Sequence, residues 1–311
     1  VMEEAIGSQI ADYLIKPVNP NQILLSLKKI IDNKRLVREK TSADYQQEFR
    51  QIFMEINSAL DFEEWVDVYR KIISWEIKID DSNSAEMAEI LAMQKKEANA
   101  TFSKYISHHY LDWLRDESGP LMSHKLLRNK VFPRLSENEP AILLLLDNLR
   151  YDQWKVIEPI LSEYYKVEKE DYFYSILPTS TQYSRNAIFA GMMPADIEKH
   201  YPAWWKNDMD EGGKNLHEAD LLAEHLKRVM RRPMKMEYVK VTNAAHAKTM
   251  NDNILNYLQN DFTVIVYNFI DMLSHARTEM EVLKELAGDE KAYRSLTRSW
   301  FENSPLWAAL Q

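Results

Sequence analysis

The stretch Ala141-Ile142-Leu143-Leu144-Leu145-Leu146-Asp147-Asn148 decides how the chain is read. Its first six residues, Ala141–Leu146, form the longest purely apolar run. A membrane span needs about 18 or more, so none is expected. The run also lacks the alternation of a half-buried strand. Both of its faces must therefore be covered, as in a parallel sheet. The stretch predicts a strand of an α/β layer with Asp147 at its carboxyl end.

Downstream, the texture keeps alternating. A helix is expected from about Gln153 to Tyr165, then a strand over Tyr172–Leu177 and a helix over Ser184–Ala190 closed by Gly191. An amphipathic helix over Ala219–Met230, a strand over Met236–Val241, a helix near Lys248–Leu258 and a strand over Phe262–Phe269 follow. This order predicts a doubly wound α/β domain over 137–311. Upstream, 41–136 carries apolar residues at helical spacing with no convincing strand, which predicts a helical bundle. Residues 1–40 read as a short helix (Met2–Gln9), a strand (Ala11–Ile15), Lys16-Pro17, and a helix from Pro20 to about Arg38. Both ends of the chain are expected to fall inside domains.

Composition narrows the chemistry. The chain has 311 residues, with 48 acidic against 39 basic side chains and a net charge of -9, the reverse of a generic polyanion binder. With no cysteine, disulfides, thiolate metal sites, iron–sulfur clusters and thiol nucleophiles are excluded. Any metal must sit on Asp, Glu, His or a hydroxyl oxygen. Six glycines, only Gly212-Gly213 adjacent, exclude a Walker loop or a dinucleotide fingerprint. The absence of a span and of a signal sequence points to a cytoplasmic protein.

Ligands of open parallel sheets bind beyond the carboxyl ends of strands. Asp147 sits at one such end, as a cation ligand or as a helix cap. A second end reads Leu177-Pro178-Thr179-Ser180-Thr181-Gln182-Tyr183-Ser184-Arg185-Asn186. Five hydroxyls, an Arg and an Asn at a strand-to-helix turn suit an anion site or a metal-activated Thr nucleophile; capping is the plainer role. A third end carries Asp271 and His275, four apart and so on one helix face, either as two ligands of one zinc or as a cap and a surface His. Taken together, two carboxylates, a hydroxyl and an imidazole suit a hard-ligand zinc centre for phosphoryl transfer. His108-His109 reads as a solvated pair, and His200, His217, His225 and His246 as structural or solvated. Lys227-Arg228 and Arg231-Arg232 close a helix where basic residues favour the dipole. A nucleic-acid patch is the other reading there. Trp204-Trp205 reads as a packed loop anchor or a base-stacking platform.

Asp147, the Pro178-Thr179-Ser180-Thr181 segment with Gly191 ten residues beyond Thr181, and Asp271-x-x-x-His275 resemble the alkaline phosphatase superfamily, nearest its phosphodiesterase and PglZ-domain branch. The resemblance covers 140–311, the first half to two-thirds of such a domain. It implies Thr181 as nucleophile, with Asp147 and Thr181 on one Zn2+ and Asp271 and His275 on a second. A later Asp-His pair and a final His of that family have no counterpart in this chain. Ser184 replaces the family's phosphate-binding Asn, leaving Arg185 or Asn186 to meet the phosphate. Ala11-Asp12-Tyr13-Leu14-Ile15-Lys16-Pro17 is similar to the last strand of receiver domains, which implies Lys16 as the contact to a phosphorylated Asp. The order of receiver end, bundle and PglZ-like domain resembles response regulators of the PorX type. That implies phosphorylation by a PorY-like sensor histidine kinase and a phosphorylation-dependent homodimer. It also implies an oligoribonucleotide or cyclic oligonucleotide substrate, and contacts with a sigma factor and type IX secretion components. A non-catalytic interaction module under phosphorylation control is the competing expectation.

Overall fold

In the computed structural model, the described residues are 14, 16, 18, 20–58, 60–82, 84–116, 119–136 and 139–311. The helix and strand expected over 2–15 lie outside them, save Leu14, which is exposed. Lys16 lies exposed in a bend. The chain divides into two compact units, meeting in sequence between Leu111 and Asp112.

The first unit is helical, with α1 (Pro20–Ile56), α2 (Phe62–Ser82) and most of α3 (Ala85–Arg115). No Gly or Pro interrupts 21–56, so α1 continues 18 residues past the Arg38 expected from periodicity. A reciprocal box starts α2: the Asp61 N–H donates to Glu64 Oε2 (2.8 Å) and the Glu64 N–H to Asp61 Oδ1 (2.9 Å). The core gathers Tyr45, Ile52, Ile56, Trp65, Val68, Ile72, Trp75, Ile79, Met87 and Leu91. One polar pair enters it, Tyr45 donating to Gln94 Oε1 at 3.1 Å.

The second unit holds β1 (Ala141–Leu146), α4 (Tyr151–Leu161), α5 (Thr181–Ala190), α6 (Pro194–His200), α7 (Glu218–Met230), β2 (Met236–Val241), α8 (Ala244–Tyr257), β3 (Phe262–Tyr267), α9 (Phe269–Glu279), α10 (Glu281–Leu286), α11 (Glu290–Glu302) and α12 (Pro305–Leu310). The three strands are parallel in the order β1-β3-β2, and Leu146, Tyr267 and Val241 are level at their carboxyl ends. Successive residues feed opposite cores. Leu143, Leu145, Val264 and Val266 pack with α5, α6 and α7; Ile142, Leu144, Leu146, Ile265 and Tyr267 pack with α4, α8, α11 and α12. Helices on both faces make the domain doubly wound, and each fully buried large side chain contributes roughly 1.5–3 kcal/mol. Residues 112–136, grouped with the bundle by periodicity, belong to this unit, with Leu127 and Phe132 in its first core.

One expected strand is absent. Tyr172–Leu177 makes a single parallel bridge, Tyr174 to Met122, closed by the Tyr174 N–H on Leu121 O (2.8 Å) and the Ser123 N–H on Tyr174 O (3.2 Å). Within it, Ile176 faces the interior while Phe173 and Leu177 stay exposed. Where α5 ends, Gly191 adopts φ 61°, the left-handed closure that favours glycine. Among the described residues, no helix is long and apolar enough to cross a membrane.

Candidate active site

The carboxyl end of β1 is built first. The Asp147 N–H donates to Tyr267 O at 3.0 Å, which continues the ladder one step past the strand. Asn148 then turns the chain with φ 61°. Helix α4 starts later, with Arg150 in the cap position and its N–H on Gln153 Oε1 at 3.0 Å. Asp147 therefore caps nothing, and its carboxylate is available to the space beyond the sheet.

Helix α5 begins at Thr181. Ser180 holds the cap position in extended backbone, without a side-chain cap bond. The hydroxyls before α5 are thus not absorbed by capping. Ser184 bonds the Ser175 hydroxyl (2.8 Å) and approaches that of Ser123 (3.3 Å), whose Oγ accepts from the Ile176 N–H (3.1 Å). Asp147, Thr179, Ser180, Thr181, Ser184, Arg185 and Asp271 share one cavity of about 650 Å³, running along the free edge of β1.

Behind the cavity lies a charged network. Arg185, 5% exposed, places Nη1 2.6 Å from Asp147 Oδ2. Its Nε and Nη2 donate to Glu218, which is 1% exposed. Glu218 Oε2 also accepts from Tyr238 Oη (2.6 Å) and Lys240 Nζ (3.0 Å). Burial lifts the Asp147 carboxyl above its ordinary value; Arg185 opposes this, while Asp271 and Glu218 add to it. Burial works against the Arg185 charge, but Glu218 first and Asp147 second hold it protonated. Burial and then Glu218 push the Tyr238 phenol upward.

On α9, the Asp271 side chain reaches the cavity, with His275 Nε2 3.8 Å from its Oδ1. His275 is 69% exposed and does not line the cavity. Three residues before Asp271, the Asn268 Oδ1 is buried with no hydrogen-bond partner. Among the described residues, no three His, Asp or Glu side chains already gather as a metal cage.

The structure thus brings Asp147, Thr181, Arg185 and Asp271 together and sets His275 at the rim of Asp271. It does not bring Asn186. That side chain is 2% exposed, donates to Lys214 O (3.1 Å) and accepts from Asn215 (3.0 Å), so Arg185 alone of the two faces the cavity. Trp204 stacks on Tyr201 (4.8 Å, 5°) and Trp205 is 7% exposed, the packed anchor rather than an open platform. Sequence reading missed Glu218, Tyr238, Lys240 and Asn215. An acid in a helix's first turn ordinarily reads as a solvated partner of the dipole, so Glu218 carried no local signal of its burial.

Residues 126–307 match the family model described as the BREX system PglZ alkaline phosphatase-like domain. Residues 35–114 match that of the PorX response regulator linker domain. Their order is that of a PorX-type regulator with a C-terminal PglZ domain. Comparison with curated proteins gives no match.

Proposed function

The chain belongs to the PglZ alkaline phosphatase-like family, and from that premise we propose that it is a zinc-dependent phosphodiesterase with Thr181 as its nucleophile. One observation carries this reading: Asp147, Thr181, Arg185 and Asp271 line a single cavity at the carboxyl end of β1.

The donor chemistry supports zinc. The cavity residues offer carboxylate and hydroxyl oxygens and His275 offers an imidazole beside Asp271, all suited to that ion, and the buried Asn268 oxygen three residues before Asp271 lacks a partner. Asp147 and Thr181 would hold one ion, and Asp271 and His275 the other. When bound, zinc supplies Lewis acidity that eases deprotonation of the Thr181 hydroxyl and offsets developing oxyanion charge.

The chain's own residues do the rest. Ser180 and Thr181 open α5, so a phosphate in the cavity meets the positive end of the helix and its unpaired N–H groups. Thr181 Oγ1 attacks phosphorus while the ester P–O bond breaks, and the alcohol departs with a proton. Water then hydrolyses the phosphothreonine ester. Arg185, fixed by Glu218, holds Asp147 in place throughout.

The linker match favours a regulatory setting for this activity. We assign phosphorylation to a PorY-like kinase, output as a homodimer, and oligonucleotides as substrate. Control of type IX secretion, with a sigma factor among the partners, completes the reading. The test is hydrolysis of bis(p-nitrophenyl) phosphate by the full-length protein beside Thr181→Ala. The variant should fold as the parent does and lose at least about 10³-fold in kcat. Parental turnover in Thr181→Ala would remove Thr181 as nucleophile. A parent without turnover would make the protein a binding module.

A further inference from the structure

Glu218 is buried in the first turn of α7, where an acidic side chain normally stays in water. A carboxylate this deep must be fully paired. Four groups do so: Arg185 through Nε and Nη2 (3.2 Å for the latter), Tyr238 Oη at 2.6 Å, Lys240 Nζ at 3.0 Å and Asn215 Nδ2 at 3.2 Å. Two of these partners lead to the cavity. The far end of the Arg185 fork rests on Asp147 at 2.6 Å. Asn215 Nδ2 also reaches the Thr181 carbonyl oxygen at 3.2 Å. Glu218 itself does not line the cavity. A guanidinium is planar and rigid, so a carboxylate gripping one edge fixes where the opposite nitrogen lies.

We propose that Glu218 is a positioning residue for hydrolysis at Thr181, acting through Arg185 on Asp147. This rests on the reading of Thr181 as nucleophile. It assigns a role to a residue that never meets the substrate. The Tyr238 and Lys240 contacts fill the remaining acceptor sites of Glu218, so neither carboxylate oxygen is left without a donor.

The test is a double-mutant cycle on the full-length protein with bis(p-nitrophenyl) phosphate, using Glu218→Gln, Arg185→Lys and the pair. Glu218→Gln should lower kcat about 10–100-fold with KM within about twofold of the parent, and the pair should lose no more than Arg185→Lys alone. Losses that multiply in the pair overturn the proposal. A second readout is independent of turnover: the Arg185 side-chain Nε–H resonance of arginine-labelled protein, identified by its absence in Arg185→Lys. It should shift or vanish in Glu218→Gln; an unmoved resonance overturns the proposal. If the parent itself hydrolyses nothing, the phosphodiesterase reading fails and the resonance alone decides whether Glu218 places Arg185. Should Glu218→Gln not fold, Tyr238→Phe removes one donor and keeps every charge. Its smaller loss should disappear in the Arg185→Lys background, and persistence there overturns the proposal.

Discussion

His225 Nε2 lies 2.2 Å from where a Cβ on Gly191 would stand. The glycine that ends α5 therefore serves two ends, a left-handed backbone and room for an imidazole. Gly191→Ala should cost about 2–4 kcal/mol, from a strained φ and an overpacked contact. Urea unfolding measures this. In a His225→Ala background the penalty should shrink to the backbone part, and an undiminished penalty would show that the contact is not its source.

His225 also sets an acid limit. It is 2% exposed, and its Nδ1–H donates to Phe189 O at 3.1 Å. Burial first, and the Arg228 charge second, push its pKa down to about 4, against the pull of the Phe189 bond. The unfolded chain takes up this proton near pH 6.5, whereas the folded protein resists until about 4. The contribution is thus whole above the unfolded value and is lost as pH falls through this window. It amounts to roughly 3 kcal/mol at about 1.4 kcal/mol per unit. His225→Gln should flatten the stability–pH slope between these limits; an unchanged slope would assign it to other groups.

Asp152 and Arg294 join α4 to α11 at 2.9 Å, and both are buried. Burial works against the Asp152 charge, yet Arg150 and Arg294 hold its carboxyl below the ordinary range. Arg294→Met should cost about 2–3 kcal/mol, because Arg150 still pairs with the carboxylate. Adding Asp152→Leu should recover part of that loss. Thermal unfolding of the single and double variants separates the two effects.

Asp271 is the acid that α9 brings to the cavity. Elemental analysis of the full-length protein should give about two zinc ions per chain and a clear loss in Asp271→Ala. Zinc content unaffected by the substitution would take Asp271 out of the ligand set.

In the helical unit, Tyr45 donates to Gln94, whose Nε2 in turn donates to Phe49 O at 3.1 Å. Tyr45→Phe keeps the ring and strands the Gln94 oxygen, so it should cost about 1–3 kcal/mol. A neutral result in chemical denaturation would mean that water replaces the phenol.

The parts legible in the sequence were those with one dominant local signal. Ala141–Leu146 ends where composition places it, since its apolar run is bounded by Pro140 and Asp147, and Met236–Val241 keeps its expected bounds. Asp147, Thr181 and Asp271 were legible because each follows such a boundary or opens a helix. Tyr172–Leu177 misled because this segment, read as a strand, is pinned by one bridge rather than a ladder. Glu218 stayed hidden because its burial depends on Arg185, Tyr238 and Lys240, which lie 33, 20 and 22 residues away. No window along the chain contains that information.

The alternating allegiance of β1 has an arithmetic consequence. Its residues are counted off two by two between the cores, and Asp147 is the next in that count. Inserting or deleting one residue within Ala141–Leu146 would reverse the parity, sending Leu143 and Leu145 to the layer that receives Ile142 and Leu144. The carboxylate would then point away from Arg185. A two-residue change would preserve the parity and lengthen the strand instead. The even–odd count of six side chains thus acts as a ruler for the placement of one acid, and length variation along this strand should be tolerated only in steps of two.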